Sequence, residues 1–345
     1  MTSMDRADKA VLRLAIGLGL AVLIAYGLAL PAPFVVCVLT VLLLCKPGLP
    51  IPFVKGVVLG FVIAALLVAG VLLVPILENY AVTGVMLTGV LLYAVIFAGT
   101  RKANPLTIML VIAITFIPVA GVAEQALATA LSVAVGVGLG AGVLVSGMSH
   151  AFFPDPSAPA KISAAPIIVS RETASWAALR ATLVVMPVFV LALTNPAFYL
   201  AAIMKTVTLG QQASSTNARS AGRELVGSTL MGAWMSILVW CGLSLRPNLW
   251  MLMLWMVAAA LWAGAKLFGV RRTAFSPSFW SNALVTMLIL LGPAIEDAAV
   301  GKDVYRASVT RVALFVLVSL YAWATVWMLE RWRASRSKAL VFKRA

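Results

Sequence analysis

Acidic residues are scarce in this chain: 11 Asp and Glu stand against 26 Lys and Arg in 345 residues. Charged residues of both signs make up only 11%, where a soluble domain carries about a quarter. There is one histidine, His150, and the three cysteines (Cys37, Cys45, Cys241) fall in or beside apolar segments with no metal-ligand spacing. No serine-histidine-acid set, metal cluster or cofactor motif can be assembled from these residues, so an embedded enzyme is unsupported. A proton relay lacks material too. Glu78, Glu124, Glu296, Asp297 and Asp303 lie at the ends of apolar segments, and Glu224 alone lies within one, near its start.

Apolar sequence is what the chain has in quantity. The hydrophobic fraction is 63% and mean hydropathy is +1.06, more apolar surface than a water-soluble core of this length could hide. The expected fold class is an all-α integral membrane protein. A net charge of +15 suggests nucleic acid in a soluble chain. Here the basic residues are scattered through short gaps, with no aromatic-interleaved basic domain to form a groove. Topology and attraction to anionic lipid account for them better.

A membrane helix needs about 20 apolar residues. On that scale the first half has segments near 10–30, 34–45, 54–77, 82–100, 105–120 and 124–147. The second half has segments near 176–194, 197–209, 221–243, 248–266, 276–293 and 310–329. The first of the twelve is too long for a signal peptide and is read as an anchor that stays. All the Lys and Arg except Arg246, Lys302, Arg306 and Arg311 fall in alternate gaps. Basic residues are retained in the cytoplasm during insertion, so both termini are expected there.

The two sets of six read as copies. Leu12-Arg13 and Leu179-Arg180 open them, Pro33-Phe34 and Pro196-Ala-Phe198 start a short second segment, and Lys46 or Lys205 follows. Lys55 or Arg223 opens the third segment, with Gly60 or Gly227 one turn on. Arg101-Lys102 before Pro105 matches Arg271-Arg272 before Pro277, and Pro118 matches Pro293. Six spans per copy make the repeats parallel, related by an axis along the membrane normal. The expected organisation is a first repeat at 1–148, a Pro-rich linker at 149–175, a second repeat at 176–330 and a basic tail at 331–345. His150 then belongs to the linker. Gly136, Gly138, Gly140 and Gly142 in the sixth segment read as a small-residue face for close packing.

The second segment is short in both halves, and such a pair is the best pointer in sequence to a transport site. Lys46-Pro47-Gly48-Leu49-Pro50-Ile51-Pro52 would break a helix, and Lys205 to Gln212, with Thr206 and Gln211, is its polar counterpart. If these are half-spans, Lys46, Lys55, Lys205 and Arg223 converge on the axis, where their charges would attract a carboxylate. Alternatively all four sit at the headgroups and serve topology alone, with Arg223 pairing Glu224. Phe34, Phe198, Tyr199 and Trp234 either pack in belts or stack on an aromatic solute.

The pattern Pro33-Phe34…Pro47-Gly48…Lys55-x4-Gly60, with Gly210-Gln211-Gln212…Gly222-Arg223-Glu224-Leu225-Val226-Gly227 in the second half, resembles the aromatic acid exporter and fusaric acid resistance superfamily. That resemblance implies a bacterial inner-membrane efflux permease for aromatic carboxylates or related organic anions. It also implies a periplasmic adaptor of the membrane-fusion type, and homo-oligomers are open to it. The large cytoplasmic domains common in that superfamily are replaced here by the 149–175 linker and a short basic tail. Lys55 stands where the superfamily has Arg, and the second copy of the motif is shifted. A passive anion channel and a non-transporting scaffold or accessory subunit are the alternatives.

Overall fold

Nine helices among the described residues are long and apolar enough to cross a membrane, which makes the chain a multi-pass membrane protein. The computed structural model describes residues 6–30, 32–45, 53–102, 107–154, 169–215 and 221–342. All its regular elements there are helices. They are α1 (Arg6–Gly27), α2 (Pro33–Leu44), α3 (Phe53–Val71), α4 (Val74–Asn79), α5 (Ala81–Lys102), α6 (Thr107–Ala123) and α7 (Gln125–Phe152). After the central connector come α8 (Arg171–Thr194), α9 (Pro196–Ser215), a π-helical turn at Gly222–Gly227 leading into α10 (Ser228–Leu245), α11 (Leu249–Leu267), α12 (Pro277–Ala299) and α13 (Val304–Phe342).

Local chemistry sets several of the boundaries. The side chains of Ser170, Asn248 and Ser276 accept hydrogen bonds from Thr173, Met251 and Phe279 N–H groups, capping α8, α11 and α12. Gly269 and Gly301, at φ 78° and 74°, turn the chain just beyond the ends of α11 and α12, a conformation other residues adopt only at a cost.

Helices are found where the segments were expected, although α2, α6 and α9 are not among the nine both long and apolar enough to cross a membrane. The expected third segment divides into α3 and α4, α13 runs on through the expected tail to Phe342, and three further differences concern α9, α7 and α8. The 197–209 segment was expected to break near Lys205, but α9 runs unbroken to Ser215. The hydroxyls that suggested a break instead bond back within the helix, Thr206 to the Ala202 carbonyl at 2.6 Å and Thr208 to that of Lys205 at 2.7 Å. α7 continues to Phe152, so His150 lies in its last turn with Nδ1 2.8 Å from the Ser146 carbonyl. α8 begins at Arg171, and residues 155–168 of the expected linker lie outside the described residues. Among the four α7 glycines, a Cβ on Gly136, Gly138 or Gly142 would meet Ala64, Val36 or Leu43, whereas one on Gly140 would meet nothing within 4 Å. Three of the four make the close face.

α1 packs on α2, α7 and α11, and α8 packs on α9, α13 and α5. α3 crosses α6 and α7, and α10 crosses α12 and α13. The two sets meet where α1 packs on α11, α5 on α8, α6 on α9 and α2 on α12. Gly264 approaches Leu14 and Gly27 approaches Leu249, so α1 and α11 are antiparallel. Lys9 Nζ donates to the Pro154 carbonyl at 3.1 Å, and Arg333 reaches Glu172 at 3.3 Å. The starts of α1 and α8 and the ends of α7, α11 and α13 thus gather at one end of the bundle.

Candidate functional site

α9 carries a lysine at its midpoint. Lys205 is nine residues from Pro196 and ten from Ser215, about 14 Å along the helix from either end. Its side chain is 0% exposed. α9 is not among the nine helices long and apolar enough to cross a membrane; within a membrane-crossing helix a Lys would cost about 2.5–3.5 kcal/mol on insertion scales. No carboxylate among the described residues forms an ion pair with it. Its recorded partner is neutral: Nζ donates to Thr286 Oγ1 on α12 at 2.6 Å.

Thr286 belongs to a polar stripe. Ser278, Asn282 and Thr286 are spaced by four and so share one face of α12. Thr286 Oγ1 donates to the Asn282 carbonyl at 2.7 Å, and Asn282 Nδ2 donates to Ser228 Oγ at 2.6 Å. Ser228 in turn donates to the Glu224 backbone carbonyl. Thr229 donates to the Leu225 carbonyl at 2.7 Å and lies 2.9 Å from Ser319 Oγ on α13. The hydroxyls that follow the π turn therefore serve carbonyls within it. Single π turns inside helices recur at functional sites.

Glu224, on that turn, is buried, and its carboxylate accepts from Ser276 Oγ at 2.6 Å and Ser278 Oγ at 3.1 Å. Arg223 does not neutralise it, contrary to the pairing considered from sequence. The Arg223 side chain is exposed, with its guanidinium 5.7 Å from the centre of the Phe275 ring.

α2 is the short element on the other side of this interface. Its twelve residues give about 18 Å, little more than half the hydrocarbon thickness. Leu44, at its end, meets Gly17, midway along α1. Phe34, near its start, packs against Gly292 on α12, so it is a packing residue at the seam between the two sets of helices. Lys46 and the 47–52 stretch lie outside the described residues. Lys55 is in the first turn of α3. Thr206 is buried on α9 beside Lys205, while Phe198 is exposed and meets Tyr199 edge-to-face.

A family model described as "Protein of unknown function (DUF2955)" matches residues 10–149. The match runs from α1 to the last turn of α7. No curated protein and no solved structure matches the chain.

Beside the centre, α5, α6, α8 and α9 enclose a cavity of about 220 Å³. Thr100, Thr107, Val207, Gly210 and Gln211 are among its lining residues. Small-molecule sites usually hold about 300–1,000 Å³, so as it stands this space is tight for an aromatic solute. Of the expected residues, Lys205, Thr206 and Gln211 all lie on α9, but Lys205 faces Thr286 on α12 while Gln211 lines the cavity on another face; Phe34 packs at the seam with α12. Arg223 and Phe198 lie apart. Thr286, Asn282, Ser228 and Ser278 were not singled out from the sequence, although the i, i+4, i+8 spacing on α12 was there to be read.

Proposed function

We propose that the chain is a bacterial inner-membrane efflux permease for aromatic carboxylates or related organic anions. Its architecture is two parallel six-helix repeats, twelve spans in all, with both termini cytoplasmic. Lys205 carries the reading. A buried ammonium midway along α9, held by a hydroxyl and not by a carboxylate, is suited to take a carboxylate as counter-ion when the surrounding helices part.

The pairing of helices supports the repeat. If α1, α2, α3, α5, α6 and α7 correspond to α8, α9, α10, α11, α12 and α13, then α1 on α11 matches α8 on α5. In the same way α2 on α7 matches α9 on α13, and α6 on α9 matches α12 on α2. Arg13 and Arg180, the basic residues that open the two sets, are both buried. Arg101 over the Phe97 ring and Lys266 over the Trp262 ring repeat one cation–π pair at the same spacing. The 10–149 family match covers one such unit. Cytoplasmic termini follow from the basic residues at the end of the bundle where α1 starts.

A closely packed centre favours a gated permease over an open channel. A periplasmic adaptor remains part of the proposal through the family resemblance. The test is counterflow of a labelled aromatic carboxylate in proteoliposomes. Lys205→Met should lose most of it while inserting and folding normally. A chain that moves no anion in this assay would leave only the scaffold reading.

A further inference from the structure

The geometry points to a binding groove for an anionic phospholipid at the basic end of the bundle, between α10, α11 and the start of α12. The groove has a volume of about 550 Å³. Its wall is one continuous aromatic cluster. Trp234 lies 6.1 Å from Trp262, Trp262 is edge-on to Trp280 at 5.2 Å, and Phe279 and Phe275 extend the series at 5.2 and 4.2 Å. Trp280 Nε1 donates to Thr273 Oγ1 at 3.2 Å, which holds the loop against this wall.

The cations sit on the aromatic wall. Lys266 Nζ is 3.6 Å from the Trp262 ring centre and 4.3 Å from that of Trp280, so one ammonium is shared between two indoles. Arg272 lines the same groove, and Arg223 lies over Phe275. The lining residues include no carboxylate. Glu224, the nearby acid, is engaged by Ser276 and Ser278.

Charge complementarity therefore selects a phosphate or a similar monoanion, and the surroundings select a lipid as its source. Leu230 and Trp234, one turn apart on α10, are each 51% exposed, and Ile237 continues the same stripe at 55%. In a membrane helix such a face is turned to acyl chains. A headgroup phosphate between Lys266 and Arg272 would lay its chains along that stripe. Trp at the interface and Lys or Arg near anionic lipid follow the same logic. In the first half the corresponding position is not aromatic, since Ile108 follows Pro105 at the interval where Trp280 follows Pro277.

The experiment uses the purified full chain in nanodiscs containing equal phosphatidylglycerol and phosphatidylcholine of matched chains. Lipid retained after mild detergent release is counted by native mass spectrometry. Phosphatidylglycerol should be retained preferentially. Lys266→Gln or Arg272→Gln should each cut the preference about fivefold, and the pair roughly thirtyfold. Trp262→Leu, which keeps both charges, should also weaken it. If the double variant does not fold, the exposed Arg272 alone supplies the readout. Equal retention of the two lipids, or unchanged preference in the variants, overturns the assignment. Displacement of the lipid by millimolar inorganic phosphate or benzoate would overturn the lipid as occupant and assign the groove to a soluble anion.

Discussion

Lys205 on α9 and Thr286 on α12 are joined by a 2.6 Å hydrogen bond in which the ammonium donates. The Thr286 proton is already committed to the Asn282 carbonyl at 2.7 Å. The threonine oxygen therefore meets the lysine purely as an acceptor, and its polarity is reinforced by the bond it makes. This is a modest partner for a buried charge, one that a carboxylate could replace.

Replacing Lys205 should separate function from stability. Lys205→Met keeps the length of the side chain and removes the charge, so the protein should melt no lower than the parent. Charge-assisted hydrogen bonds are worth about 1.5–3 kcal/mol, which predicts roughly a 10- to 150-fold loss of anion affinity. Counterflow and direct binding of an aromatic carboxylate both read this. Parental affinity in the variant would reduce Lys205 to a packing residue.

Thr286→Val should behave in the opposite way. It leaves the ammonium buried without its recorded partner, at a cost of about 1–3 kcal/mol. Adding Lys205→Met should remove that cost, so the two changes are expected to be non-additive by 1 kcal/mol or more. Denaturation of the single and double variants in one detergent is the measurement. Strict additivity would show that the bond contributes nothing.

How much of this could be read from sequence depends on the scale of the signal. Helix positions followed from apolar runs about 20 residues long, and α1, α5 and α11 begin and end close to where hydropathy puts them. The course of α9 was misread because threonine hydroxyls look alike whether they interrupt a helix or bond back to the preceding turn; Thr206 and Thr208 do the latter. The partner of Glu224 was misread for a related reason. Adjacent residues on this π turn point roughly 80–90° apart, so Arg223 faces Phe275 while Glu224 faces inward to the α12 serines. Lys205 stands out in the sequence because a charge inside an apolar segment is rare. Thr286 was not singled out, since a lone threonine in an apolar helix is common and its meaning comes from the helix that packs against it.

Glycine contacts give a stability test independent of function. A Cβ on Gly70 would run into the Ala113 carbonyl oxygen, a backbone atom that can yield only if α3 and α6 separate. Gly70→Ala should therefore cost about 1–3 kcal/mol. Gly140→Ala meets nothing within 4 Å and should fall within about 0.5 kcal/mol of the parent. Thermal unfolding in detergent compares the two. Equal melting temperatures would mean that α3 and α6 do not approach so closely.

Orientation has its own test. Val300 is 74% exposed in the turn after α12, at the end of the bundle away from the basic loops. In a chain whose three cysteines are replaced, Val300→Cys should react with an impermeant maleimide added outside the cell. Labelling only in inverted vesicles would reverse the topology and place both termini outside.

The source of energy can be argued from the same contacts. A proton-driven exporter needs a titratable group that communicates with the proposed substrate site; besides Lys205 itself, Glu224 is the acid in its hydrogen-bond network, on the π turn that leads toward it. The route between them is interrupted. Ser228 donates to the peptide carbonyl of Glu224 and not to its carboxylate, and the next link is the Asn282 amide. A peptide carbonyl and a primary amide are poor proton carriers beside a chain of hydroxyls. An inside-negative potential needs no such chain, since it drives an anion outward at about 2.3 kcal/mol per charge per 100 mV. That corresponds to a gradient of roughly 50-fold. Potassium diffusion potentials should therefore set the rate of carboxylate efflux from proteoliposomes, a pH gradient at zero potential should do little, and Glu224→Gln should preserve the response to potential. Efflux that follows the pH gradient and is abolished by Glu224→Gln would make the protein a proton antiporter.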